Sequence, residues 1–204
     1  DLSMATGKAW LGHFPVSAPK PMLYIDEENP IDVLHSRNNR LMQGLGVTEA
    51  QMAYLHFAGV LMDGQGAQQL LRYLHTVGYT PHGITIDAMR RVLVGGENDQ
   101  EAITGFWRNL LPITRMGITT KIVHHMRKPQ EGKESLRTRY SGHNDIMSAA
   151  DAGFAVERLD GSRARVTAVK SRRGRETPPF VVELRWDGDA PLTLHMVQDV
   201  PPMA

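Results

Sequence analysis

Three short apolar segments that each end in ionisable residues constrain the fold of this chain more than any other feature. They read "PMLYIDEENP", "HGITIDAM" and "GITTKIVHH", and stretches with the apolar spacing of helices lie between them. Short apolar runs that alternate with helices predict a mostly parallel sheet covered by helices. We therefore expect an α/β fold in which all three segments are buried strands.

The last third of the chain has a different pattern. The segments "AGFAVERL", "RARVTAVKS" and "FVVELRW" predict consecutive antiparallel strands, with turns at Asp160-Gly161 and around Arg173-Gly174. Neither a repeat nor a linker divides the sequence. We therefore expect residues 1–204 to form a single domain with an antiparallel extension, in which residues 188–204 are a last strand or a tail.

The amino-acid composition excludes several kinds of chemistry for this chain. The chain has no cysteine, which excludes disulfides, thiolate chemistry and cysteine-ligated zinc and fits a cytoplasmic protein. Its apolar runs are too short for a membrane span. The net charge is only +1, yet residues 126–140 hold five basic residues against two acidic ones, and residues 158–176 hold seven against two. Such basic stretches indicate either an anionic partner or a solvated basic surface.

Several local features predict where elements begin and end. The pair Gly7-Lys8 is followed by Ala9 rather than Ser or Thr, so it is not a phosphate-binding loop, and Gly7 is expected to end a helix. A strand is expected at residues 22–26. Asn29 is expected to cap the next helix, with Pro30 at its first position. Pro112 is expected to kink or end a later helix.

The polar residues after the three predicted strands are the first candidates for a site. Ligands of open α/β sheets bind beyond the carboxyl ends of the strands, so Glu27, Glu28, Asp87 and the pair His124-His125 are expected in one crevice. Asp87 has the form of an acid that holds Mg²⁺ beside phosphates, or else it serves the turn. One acid of "IDEEN" could activate a water molecule, or the cluster favours a helix start.

Strand geometry predicts the directions of the side chains in two pairs of residues, the adjacent histidines and the pair Lys170 and Arg172. Adjacent histidines on a strand face opposite sides, so we expect one structural histidine and one that faces the crevice, rather than a shared metal. Lys170 and Arg172 in "VKSRRG" are two positions apart and point the same way on a strand. They could reach one phosphate group together, or they could protect a solvated edge strand.

The order of these motifs resembles that of a known family. Strand-"YIDEENP", strand-"TIDAMRR", a "GGEND" turn, strand-"IVHHMRK", a basic loop, "SAAD" and "KSRRG" follow one another as in RecA-like P-loop ATPases, above all the hexameric helicases of the RepA and DnaB type. The resemblance covers about residues 5 to 187. It implies a RecA-like fold, ATP and Mg²⁺ as cofactors, and a homo-oligomeric ring, a hexamer in the full-length form.

The resemblance also implies roles for individual residues. Glu28 would be the catalytic glutamate, with Glu27 as its fallback, and Asp87 would hold Mg²⁺ beside the nucleotide. His125 would sense the terminal phosphate. Lys170 and Arg172 would reach the neighbouring subunit's nucleotide, with Arg172 as the arginine finger. A basic loop would bind single-stranded DNA, or RNA, through Arg127, Lys128, Lys133, Arg137 and Arg139.

One departure from the family pattern matters. The sequence contains no G-x-x-x-x-G-K-[ST], and "MATGKAWLGHFPV" resembles the end of the helix that follows such a loop. We therefore expect these 204 residues to lack the first core strand, to expose unpaired sheet edges, and to be a poor ATPase by themselves. The alternatives are a non-enzymatic binding module that is truncated or degenerate, and a metal-dependent hydrolase built on Glu27, Glu28, Asp87 and His125.

Overall fold

The larger of two sheets is parallel and has four strands. The computed structural model describes residues 1–126 and 145–197. In the described chain the strand order is β2-β1-β3-β4, and every neighbouring pair is parallel. The strands are β1 (Met22–Asp26), β2 (Met52–His56), β3 (Gly83–Asp87) and β4 (Thr119–Ile122). The two central strands are mostly apolar because both of their faces are largely buried.

Six helices accompany the sheet in the described residues. They are α1 (Leu2–Thr6), α2 (Ile31–Gly44), α3 (Gly66–Thr76), α4 (Met89–Val92), α5 (Gln100–Arg115) and α6 (Asp145–Ala149). α3 and α5 present apolar residues at helical spacing to one core shared with β1 and β3. None of the described helices is long and apolar enough to cross a membrane.

The second sheet is antiparallel, as its alternating sequence pattern predicts. Its order is β5 (Ala152–Arg158), β6 (Arg163–Ser171), β7 (Phe180–Arg185) and β8 (Thr193–Val197). The β7–β8 connection docks on α2, where Arg40 Nε donates to the Ala190 carbonyl at 3.0 Å and the Leu192 amide donates to the Arg40 carbonyl at 3.0 Å. The expected α/β fold with an antiparallel extension is therefore confirmed.

Local predictions have mixed outcomes. The first helix ends at Gly7, whose φ of 74° lies in the left-handed region that glycine favours. The predicted start of α2 is wrong by one position. The helix begins at Ile31 after Pro30, and the Asn29 side chain donates hydrogen bonds to Asp26 instead of capping the helix. α5 does not end at Pro112 but continues to Arg115, and Asp99 caps its start by accepting from the Glu101 amide.

The third predicted strand is real but is not buried. β4 ends the strand order of the described sheet, so it has one strand neighbour and Thr119 and Lys121 are exposed. The ladder is also continuous, since Ile84 of β3 is in register with Thr120 of β4. β3 and β4 are therefore direct neighbours, and the expectation that these residues lack the first core strand stays a prediction.

Candidate functional site

The carboxyl edge of the parallel sheet begins with a buried acid. Asp26, the last residue of β1, is 0% exposed and lies in register with Asp87, the last residue of β3. Its Oδ1 accepts from the backbone amides of Glu28 at 3.0 Å and Asn29 at 2.8 Å. These bonds close the turn after β1 and fix the direction in which the next side chains leave the sheet. An aspartate that bonds to amides two and three positions on is a known turn former, which was the available sequence signal.

Glu28 and His125 face each other across the crevice. The Nε2 of His125 lies 3.4 Å from Oε2 of Glu28, and both side chains remain accessible, at 59% and 32% exposure respectively. Together with Arg90 and Arg91 they line a pocket of about 240 Å³. The two residues that the resemblance singles out are therefore neighbours at a place that solvent, and hence a small ligand, can reach.

Glu27 occupies a different position from Glu28. Its backbone amide donates to the Asp87 carbonyl at 2.8 Å, which continues the β1–β3 ladder by one residue. Its Oε1 accepts from the Val60 amide at 3.2 Å, in the connection between β2 and α3. The carboxylate of Glu27 thus holds a neighbouring loop, while that of Glu28 faces the pocket. The structure separates two adjacent acids that the sequence left as a first choice and a fallback.

Asp87 is held by a tyrosine that the sequence analysis did not single out. The Tyr24 hydroxyl donates to Asp87 Oδ2 at 2.6 Å. Burial raises the pKa of the Asp87 carboxyl, and the charges of Asp26 and Glu28 raise this pKa further, while the tyrosine hydrogen bond and His125 lower it. Burial and the bond to Asp87 raise the pKa of Tyr24 as well. Tyr24 lies two positions before Asp26 on β1, so strand periodicity was the signal for it.

The second histidine of the pair has a separate environment. His124 is only 10% exposed, and its Nδ1 lies 3.9 Å from Oε1 of Glu97. His125 is largely exposed and faces Glu28. The two adjacent histidines therefore differ in exposure, and the structural role expected of His124 stays a prediction.

The acids at this edge suit Mg²⁺ better than a metal held by protein ligands alone. Across residues 1–126 and 145–197, no group of three or more histidines and acids could hold a metal ion. Mg²⁺ prefers oxygen ligands and is often bound by one or two carboxylates together with phosphates and water. Asp87 offers a partly buried carboxylate crowded by negative charge, which a cation would relieve. The donor set thus fits Mg²⁺ with a phosphate ligand.

Lys170 and Arg172 lie together, as predicted, but on the second sheet. Lys170 Nζ donates to the carbonyl oxygens of Met147 and Ser148, both at 2.7 Å, and an Arg172 guanidinium nitrogen donates to Ser148 as well. Burial and the neighbouring Arg172 charge lower the pKa of Lys170. Within the described chain these cations contact the end of α6 and Asp151, not the acids of the carboxyl edge. Lys170 and Arg172 therefore form one cluster, and the acids of the carboxyl edge form a separate one.

The predicted nucleic-acid loop lies beyond what the structure covers. Arg127, Lys128, Lys133, Arg137 and Arg139 all fall between residues 127 and 144, outside the described residues. Their proposed contact with single strands therefore stays a prediction from charge and from the family resemblance.

The parallel sheet with acids at its carboxyl edge, together with the antiparallel sheet, defines an α/β domain of the class whose ligands bind beyond the strand ends. A family model described as an AAA domain matches residues 2–131, well over half of the chain. The chain belongs to this AAA domain family. The family implies nucleotide and Mg²⁺ use in general terms.

Comparison with individual proteins adds less. No curated protein matches the chain. Among solved structures, the chain is similar to a KaiC-like protein from the hyperthermophilic archaeon Pyrococcus horikoshii OT3, with 14% identity and a TM-score of 0.49. The match covers 87% of this chain and 76% of that one.

Proposed function

We propose that this chain is the core of a nucleic-acid-stimulated motor ATPase of the replicative-helicase type, which hydrolyses ATP at the interfaces of a homo-oligomeric ring. The observation that carries the proposal is the convergence of Glu28, Asp87 and His125 at the carboxyl edge of the parallel sheet. These three residues come from three different strand ends. Membership of the AAA domain family supports the nucleotide part of the proposal.

Each residue of this group has a distinct task in the proposed reaction. Glu28 is the general base: its accessible carboxylate holds and polarises the water that attacks the terminal phosphorus atom. His125 contacts Glu28 and so links the state of the terminal phosphate to the chain that follows β4. Asp87, oriented by Tyr24, is the carboxylate that would hold Mg²⁺. An ion bound there would supply positive charge against the negative charge that develops on the phosphates.

Lys170 and Arg172 act on the neighbouring subunit's nucleotide in this proposal. Both cations sit side by side at the second sheet and bond to α6 rather than to the acids at the carboxyl edge of their own subunit, as far as the described residues go. An arginine finger needs this arrangement if it serves a site in trans. Ring assembly, a hexamer by resemblance, would bring the pair to the adjacent carboxyl edge.

The nucleic-acid partner rests on sequence alone. The basic segment from Arg127 to Arg139 carries five positive charges and would contact the phosphates of single-stranded DNA or RNA. It begins two residues after His125, so a change at the terminal phosphate could reach the nucleic-acid contact through a short stretch of chain.

The proposal is tested by Glu28→Gln in the complete gene product. The amide keeps the size of the side chain but cannot accept the proton of the attacking water. We expect hydrolysis of ATP to fall by at least about 100-fold, with nucleotide binding nearly unchanged. Steady-state hydrolysis, with and without single-stranded DNA, and equilibrium titration with nucleotide measure the two effects.

Glu49→Gln is the matched control, because Glu49 is an exposed acid remote from the edge and its loss should leave turnover unaltered. Undiminished hydrolysis by Glu28→Gln would remove Glu28 from its role. A wild-type protein that neither binds nor hydrolyses ATP would favour the non-enzymatic binding module.

A further inference from the structure

Two arginines that follow Asp87 have no part in the roles assigned so far. Arg90 and Arg91 are the middle residues of α4, a single turn between β3 and the rest of the chain. Met89 and Val92, at either end of that turn, are each 0% exposed. Residues three apart share one face of a helix, so burial of Met89 and Val92 directs Arg90 and Arg91 to the opposite face.

The position of α4 is fixed on both sides. The Met89 amide donates to the Val123 carbonyl at 2.9 Å, and the Val92 carbonyl accepts from the Met62 amide at 2.8 Å. These bonds tie the turn to the segment after β4 and to the connection before α3. The two arginine side chains therefore project from a rigid base and not from a loose loop.

The face on which they project is the pocket beside the candidate catalytic residues. Arg90 and Arg91 line the same cavity of about 240 Å³ as Glu28 and His125. At about 30 Å³ per molecule this space would hold roughly eight waters, enough for a phosphate group with part of its hydration. Glu28 pairs with His125, and within the described residues neither guanidinium pairs with an acid. Arg90 and Arg91 thus bring two positive charges to a pocket in which Glu28 is the lining acid.

We infer that Arg90 and Arg91 contact the terminal phosphate of the bound nucleotide from within the same subunit, an inference that rests on the proposed ATPase function. Guanidinium groups bind phosphate oxygens through paired, charge-assisted hydrogen bonds. The pocket adjoins Glu28, which would hold the attacking water, so an anion bound there lies beside the water. Arg90 and Arg91 would act in cis on the phosphate that Arg172 approaches in trans.

The test compares two nucleotides that differ in the terminal phosphate. Equilibrium titration of the complete gene product with Mg·ATPγS and Mg·ADP gives an affinity ratio for the wild type and for a double variant, Arg90→Ala with Arg91→Ala. We expect ATPγS binding to weaken at least about tenfold, while ADP binding changes less than about threefold, because only ATPγS reaches the pocket. The Arg90→Lys, Arg91→Lys variant should recover part of the ratio.

A matched control removes two other exposed cations, Arg72 on α3 and Arg108 on α5, with the same change of net charge. This control should keep the wild-type ratio. Equal loss for both nucleotides, or no loss for either, overturns the inference. A loss confined to single-stranded DNA binding also overturns it and assigns the arginines to nucleic acid.

Failure of the proposed function has a separate signature. If the wild type binds neither nucleotide, titration with inorganic phosphate decides between two outcomes. Phosphate binding that the double alanine variant loses would support the anion pocket while the ATPase proposal falls. Absence of phosphate binding to the wild type would refute both.

Discussion

The surroundings of Asp87 disfavour a negative charge on its carboxyl group. Its carboxylate is partly withdrawn from water, lies opposite the fully buried Asp26 and shares its surroundings with Glu28. Burial raises the pKa of Asp87 above its ordinary value of 3.8, so the folded state binds a proton more readily than the unfolded state. The stability contributed by protonated Asp87 is present below pH 3.8 and is lost as the pH rises through the raised pKa.

Asp87→Asn should therefore make the protein more stable at neutral pH. The amide is uncharged and can still accept the Tyr24 hydrogen bond through its oxygen. The gain in unfolding free energy should shrink as the pH is lowered towards the ordinary pKa, because the wild-type carboxyl is then protonated as well. Urea unfolding between about pH 4 and 7, in buffer with a chelator, measures this difference.

Asp160→Asn should change the unfolding free energy in the opposite direction, and it serves as the control. Hydrogen bonds from the Ser162 amide and the Arg163 side chain lower the pKa of Asp160 to about 2. Its carboxylate therefore stabilises the folded state at pH values above its ordinary pKa. This stability is lost as the pH falls through about 2. A stabilising Asp160→Asn, or a destabilising Asp87→Asn at neutral pH, would contradict this account.

At the scale of elements, α2 is the helix that holds the second sheet. An added Cβ on Gly44, the last residue of α2, would lie 2.1 Å from the Leu192 carbonyl oxygen. Arg40, one turn earlier, bonds to the carbonyls of Gly188 and Ala190. Close contact between the backbones of α2 and the β7–β8 connection thus requires glycine at position 44.

We expect Gly44→Ala to destabilise the protein by roughly 1–3 kcal/mol, because the β7–β8 connection must shift and loses its bonds to Arg40. Gly105→Ala in α5 is the matched control. A Cβ at Gly105 meets nothing within 4 Å, so the same substitution should stabilise by about 0.5–1 kcal/mol through helix propensity. Denaturant unfolding of both variants measures the contrast. Equal effects of the two substitutions would show that the contact with Leu192 does not matter.

At the scale of the whole molecule, two clusters of opposite charge lie on different sheets. The carboxyl edge holds Glu28 and Asp87, and the second sheet holds Lys170 and Arg172 against α6. If ring assembly joins one subunit's acids to the next subunit's cations, the active site belongs to an interface and not to a single chain.

Mixing two inactive variants tests this arrangement. Glu28→Gln and Arg172→Ala should each reduce hydrolysis by orders of magnitude, roughly 10³-fold or more for loss of the finger. In a mixed ring, an Arg172→Ala subunit supplies an intact Glu28 and its neighbour supplies an intact Arg172. Part of the activity should therefore return in the mixture. Persistent inactivity of a mixture shown to contain mixed rings would place both residues in one subunit's site.

The sequence predicted the strands and their chemistry better than it predicted side-chain directions. The apolar runs of β1 and β3 ended where expected, since burial of both faces favours a nearly continuous apolar segment. The burial of β4 was mispredicted, because exposure depends on the number of strand neighbours and not on the strand's own residues. Of the two outcomes expected at Pro112, the end of the helix is wrong for a related reason: packing of α5 on the core outweighs one lost backbone hydrogen bond.

By itself, the sequence determined the fold class, the acids and histidines at the strand ends, and the adjacency of Lys170 and Arg172. These follow from local patterns whose period matches a strand or a helix. Only the tertiary structure decided that Asp26 is buried, that Glu27 holds Val60 while Glu28 faces His125, and that Tyr24 and two arginines join the site. The reason is physical: beyond the end of a strand, each side chain turns towards hydrogen-bond partners from distant parts of the chain.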